Sequence, residues 1–177
     1  MSAITERPRQ RSWRRFLVGA ALTLAVILAG GAYLLDRFRL GIDDQVHSCL
    51  PPYHWFLIDT YEREIMQGQL VAFYATERMH PYFQPEQIVI KVAAGVPGDR
   101  IEVSREETRV NGAHAAGRMG LFETLGMDQW PQPFTRHSFI VPAGQYLALG
   151  RSLNSFDSRY WGTLPAERVI GRAYALF

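Results

Sequence analysis

The sequence predicts a mainly β domain of short antiparallel strands, carried behind one N-terminal transmembrane helix. Three observations lead there. An uncharged run, Phe16 to Leu35, lies near the start of the 177-residue chain. After residue 40 the apolar residues come in short runs broken repeatedly by glycine and proline. No long segment in that part keeps a helical period, whereas several alternate as half-buried strands do.

The uncharged run is about as long as the ~20 residues a helix needs to cross the hydrocarbon layer. A cleaved secretory signal has a shorter apolar core, roughly 7–15 residues, ending in a small-residue site. Here the only such site, Ala29-Gly30-Gly31, lies inside the run, so the segment reads as a retained anchor. Arg7, Arg9, Arg11, Arg14 and Arg15 precede it. Beyond it, Arg37 and Arg39 are balanced by Asp36, Asp43 and Asp44. That asymmetry puts the N-terminus in the cytoplasm. The expected organisation is a cytoplasmic basic tail over 1–15, a transmembrane anchor over 16–35 and a periplasmic β-rich domain over 40–177.

Within that domain, strands are expected at Trp55–Ile58, Leu70–Tyr74, Ile88–Val92 and Arg100–Val103. Asn111-Gly112 is a strong signal for a tight hairpin. Ser138–Val141, Tyr146–Leu149 and Val169–Leu176 complete the set. Residues 115–133 are less regular and read as an excursion.

Composition narrows the function. Apolar residues make up 47% of the chain, enough for a core, and the net charge of +2 is too small to suggest a nucleic-acid partner. Cys49 is the only cysteine, which excludes an intramolecular disulfide and a cysteine-built metal site. The five histidines show no metal-ligand spacing. No cofactor and no metal are expected.

Three segments carry candidate chemistry. Of nineteen basic residues only Lys91 is a lysine, and it follows the apolar run Ile88-Val89-Ile90. Lysine can serve as a base where arginine cannot; a lysine reaching water from a strand edge is the ordinary alternative. The segment His47-Ser48-Cys49-Leu50-Pro51-Pro52 places a hydroxyl and a thiol at a proline-stiffened turn. Either suits a nucleophile, although serine is common in turns. The third, Asn154 to Gly162, packs many hydrogen-bonding groups among Phe156, Tyr160 and Trp161, and reads as a polar surface loop or as support for a site.

Together these segments resemble the type I signal peptidases, the membrane-anchored serine–lysine peptidases. A Ser-x-x-Pro box fits Ser48 to Pro51 just after the span. A Lys-x-x-x-Gly-x-Pro-Gly-Asp box fits Lys91 to Asp99 without a gap. A Ser-x-Asp-Ser-Arg-x-x-Gly box fits Ser155 to Gly162, followed by Pro165 and Gly171-Arg172-Ala173. The single span and short central region look most like the branch of conjugative transfer systems that matures pilins.

The resemblance implies a signal-peptidase-like antiparallel β-sheet domain that cleaves secreted or pilin precursors after small residues. It implies Ser48 as nucleophile, Lys91 as base, Ser155 orienting the amine, and Asp157 and Arg159 holding that segment in place. The partners it implies are precursor proteins and membrane lipid. The sequence departs from the family in two places. Val46 stands where many members carry a hydroxyl or glycine that helps the oxyanion. The conjugative branch often reads Ser-x-Pro, a register that puts Cys49 at the nucleophile position. A non-catalytic assembly factor on the same fold is the alternative function, and the single lysine at the base position argues against it.

Overall fold

A computed structural model of the chain describes residues 13–43, 48–121 and 136–177. The chain divides into two units, Met1–Arg37 and Phe38–Phe177. In the first, helix α1 spans Trp13–Arg37. It starts and ends within one turn of the uncharged run. Its apolar window has a mean hydropathy of 2.1, so it is long and apolar enough to cross a membrane. The Thr23 hydroxyl donates to the Gly19 carbonyl at 3.0 Å, which satisfies that polar group within the helix itself.

The second unit is built from β1 Phe38–Ile42, β2 Trp55–Asp59, β3 Leu70–Tyr74, β4 Ile88–Gly95, β5 Arg100–Ser104 and β6 Thr108–Val110. β7 Ala113–Ala116, β8 Arg136–Ile140, β9 Gln145–Leu149, β10 Leu164–Pro165 and β11 Val169–Ala175 follow. Among the described residues these form two sheets, ordered β1-β2-β11-β3-β4-β9-β10 and β7-β6-β5-β8. Every pairing is antiparallel. This is the mainly β architecture the alternation predicts.

The strands expected from apolar runs all form. The hairpin at Asn111-Gly112 joins β6 to β7, with Val110 opposite Ala113. Both turn residues have positive φ, 51° and 80°, the left-handed pair that a two-residue turn needs and that Asn-Gly accepts. β1 was not expected. Its residues continue directly from the helix and include Arg39, so nothing in the sequence marks a break there. Pairing with β2, Leu40 opposite Leu57, makes it a strand. Of the expected excursion, β7 occupies residues 113–116 and Met119 is fully buried; residues 122–135 lie outside the described residues.

β4 positions the site. Its alternation buries Val89, Lys91, Ala93 and Gly95, and leaves Ile88, Ile90, Val92 and Ala94 on the other face. The buried face joins the main core with Val71, Phe73, Leu147, Leu149 and Trp161. The turn after β4 is held by Asp99, whose carboxylate accepts from the Val96 amide at 2.8 Å and from the Asn111 side chain at 2.7 Å. Asp99 is therefore a turn residue, as aspartate commonly is.

Candidate active site

Lys91 sits at the middle of β4, opposite Val71 on β3, and its side chain is fully buried. On its other side β4 pairs with β9 only from Val92 onward, with Val92 opposite Leu149. β9 therefore ends at Leu149, just short of Lys91, and Gly150 follows. The chain then turns and brings Ser155 back over that point. A Cβ on residue 150 would collide with the Ser155 hydroxyl, so only glycine permits the approach. The Lys91 Nζ consequently donates to the Ser155 Oγ at 3.0 Å. Nζ also lies 5.7 Å from the centre of the Phe83 ring, within range of a cation–π contact.

Ser155 is held from behind. Asp157 Oδ2 accepts from the Gly150 amide at 3.0 Å, which ties the return segment to the end of β9. Asp157 also caps the single-turn helix Ser158–Trp161 by accepting from the Arg159 amide. The Arg159 guanidinium donates to both Asp157 oxygens at 2.8 Å and to the Gly117 carbonyl at 3.0 Å. The Ser158 hydroxyl accepts from the Ala148 amide at 2.9 Å. Burial opposes the charge on Arg159, but the charge and hydrogen bonds of Asp157 outweigh it and raise the guanidinium pKa further above its ordinary value. The pair is a permanent buried clamp rather than a proton donor.

The other candidate residues lie on the turn after β1. Ser48 is half-buried. Its hydroxyl donates to Asp43 Oδ2 at 2.8 Å and accepts from the Leu50 amide at 3.2 Å. Cys49 is buried, and its carbonyl accepts from the Arg151 amide at 2.8 Å. That bond fixes the turn to the same Gly150–Arg151 step that passes beneath Ser155. A cleft of about 170 Å³ opens here, lined by Lys91, Cys49, Asp43 and Phe83 and by apolar side chains including Leu40, Phe56 and Ile88.

The structure thus brings Lys91 to Ser155 and Asp157 to Arg159. It gives the Ser48 hydroxyl to Asp43 and puts Cys49 on the wall that Lys91 shares. Val46, the position considered for the oxyanion, and His47 lie outside the described residues. Three contributors escaped the sequence reading. Asp43 entered the sequence reading only in the charge balance after the span, and Phe83 and Gly150 were not singled out. For Gly150, a glycine closing an apolar run just before the Ser155–Gly162 box was the available signal.

Residues 13–177 match the family model for signal peptidase, peptidase S26. The chain belongs to this family. It is similar to a probable signal peptidase I-2 of Synechocystis, 29% identical over 97% of this chain and 76% of that protein. It is also similar to a signal peptidase I of Leptolyngbya laminosa, 30% identical over 63% of this chain and 52% of that protein. A crystal structure of a signal peptidase I from Enterococcus faecalis aligns with a TM-score of 0.41 and 21% identity, covering 66% of this chain and 99% of that one. As an S26 signal peptidase the chain is a hydrolase of the serine endopeptidase class, and its N-terminal apolar helix suits membrane anchoring.

Proposed function

We propose that this signal peptidase cleaves secreted precursors on the extracytoplasmic side of the membrane, with Lys91 as general base toward a nucleophile on the Ser48–Cys49 turn. The observation that carries the reading is the buried Lys91 amine. It is bonded to a neutral hydroxyl, and among the described residues no carboxylate is bonded to it. It faces a cleft shared with that turn. In the reaction the nucleophile's proton passes to Nζ as its oxygen or sulfur bonds the scissile carbonyl carbon. The backbone N–H of the nucleophile steadies the oxyanion. Collapse breaks the C–N bond, Lys91 returns the proton to the leaving amine, and water then releases the acyl group. Ser155 acts as a positioning residue that aims the amine.

Two adjacent groups offer the nucleophile. Attack by Ser48 keeps the serine chemistry of the class and requires its hydroxyl to leave Asp43 for Lys91. Attack by Cys49 would come from the wall of the cleft that Lys91 also lines. The Ser-x-x-Pro spacing supports Ser48, and the place of Cys49 on the cleft wall supports the thiol. If it attacks, Cys49→Ala and thiol alkylation abolish cleavage and Ser48→Ala does not. If Ser48 attacks, the pattern reverses.

The small size and single span support prepilin-type precursors of a conjugative system as substrates. Mass spectrometry of secreted and pilin proteins from cells carrying wild-type protein or Lys91→Ala tests this. Uncut precursors are expected in the variant. Unchanged processing would leave the non-catalytic assembly role in front. The arginines before Phe16 support a cytoplasmic N-terminus. Protease added to spheroplasts should then degrade the domain, and a protected domain would reverse the topology.

A further inference from the structure

A second cavity lies beside the cleft. Ile88 and Ile90 of β4 line the cleft; Val92 and Ala94, the next residues on the same face of the strand, line a groove of about 440 Å³. Steps of two residues along a strand cover about 7 Å, so the groove continues the cleft along β4. Its opposite wall starts at Gly150 and Arg151, the step bonded to the Cys49 carbonyl.

The two cavities differ in chemistry. The cleft carries Asp43 and Lys91, one charge of each sign, among its apolar side chains. The groove is lined by Arg118, Arg151, Arg159 and His114, and no carboxylate is among its described lining residues. Arg159 bonds Asp157 and the Gly117 carbonyl; Arg118 and Arg151 are exposed at the groove. The Ser152 hydroxyl in the same wall is buried and has no partner, which leaves a donor for an incoming acceptor.

We infer that this groove receives an acidic stretch of the precursor immediately after the scissile bond. The inference rests on the peptidase reading above. An extended peptide advances about 3.3 Å per residue. With its carbonyl at the Lys91–Cys49 wall and its small apolar residues in the cleft, the second to fourth residues beyond the cut pass over Val92 and Ala94. Carboxylates there meet guanidinium groups, which bond them in forked geometry. The groove therefore ranks precursors by the charge of their mature N-terminus.

The test uses the full-length protein in neutral-lipid vesicles. Three precursors identical except for glutamate, glutamine or arginine at the second to fourth residues after the cut are compared by kcat/KM. The acidic precursor should exceed the basic one by roughly tenfold at low salt, and the gap should shrink as salt screens it. In the double variant Arg118→Glu/Arg151→Glu the order should invert, and its cleavage of the basic precursor shows that it folds. Equal cleavage of the three by the wild type overturns the inference, whatever the variants do. So does an effect of the double variant that follows the anionic-lipid content of the vesicles and not precursor charge, which would mark a headgroup site. No cleavage of any precursor would instead remove the peptidase reading, and this one with it.

Discussion

Two buried cations stand close together in this domain and are treated in opposite ways. Arg159 is 2% exposed and is gripped by both oxygens of Asp157. Lys91 is 0% exposed and has the Ser155 hydroxyl as its hydrogen-bond partner. A carboxylate partner favours the charged form of its cation, while a neutral hydroxyl exerts no such Coulombic hold. On the proposed reading, the difference separates a charge that has to persist from an amine that has to gain and lose a proton. It also explains why the two are different residue types, since guanidinium does not deprotonate in proteins and a lysine amine can.

Substitutions at the two cations should break different things. Lys91→Met keeps the volume and removes the amine, so kcat should fall by about 10²–10⁴-fold, the range general-base catalysis supplies. Its thermal midpoint should stay near that of the wild type. A folded Lys91→Met variant with near-normal turnover would remove the base assignment. Asp157→Asn leaves Arg159 buried without its counter-charge, and should cost about 3–5 kcal/mol of stability by denaturant titration. A loss below 1 kcal/mol would mean the clamp is dispensable.

Smaller effects sharpen the comparison. Gly150→Ala pushes a methyl into the Ser155 hydroxyl, with an expected loss of about 1–3 kcal/mol from overpacking and lower turnover as Ser155 moves off Lys91. Ser155→Ala removes one hydrogen bond, worth about 1 kcal/mol, and should lower kcat by roughly tenfold with KM unchanged. Ser155→Thr should recover part of that loss, as expected of a positioning hydroxyl. The pH axis separates the pairs last. Arg159, with its pKa raised by Asp157, contributes stability that is complete below the ordinary arginine range and lost only at higher pH. That contribution is flat across neutral pH. A loss of stability across neutral pH would contradict the clamp assignment.

Much of this was legible in the sequence for local reasons. The uncharged run became α1 because length and hydropathy are properties of a single segment. The strand at Ile88–Val92 and the hairpin at Asn111-Gly112 follow from alternation and from a turn only a few residue types accept. Lys91 was conspicuous as the one lysine, and its burial follows from its place on the alternating face of β4.

The partnerships were not legible, because they join residues far apart in sequence. Lys91 and Ser155 are 64 positions apart, and they meet only because β9 pairs with β4 up to Val92 and then releases the chain at Gly150. Phe83 reaches Nζ from a loop, and β1 exists because β2 offers it an edge. The turn after β1 offered a serine, favoured by its spacing to Pro51, and a thiol as the alternative. Tertiary packing gave the serine hydroxyl to Asp43 and put Cys49 on the wall of the cleft that Lys91 also lines. Residue types and spacings thus determined the fold class and the chemical groups available. Strand register and one close backbone approach decided which of those groups touch, since period and propensity act over a few residues whereas contact depends on the whole sheet.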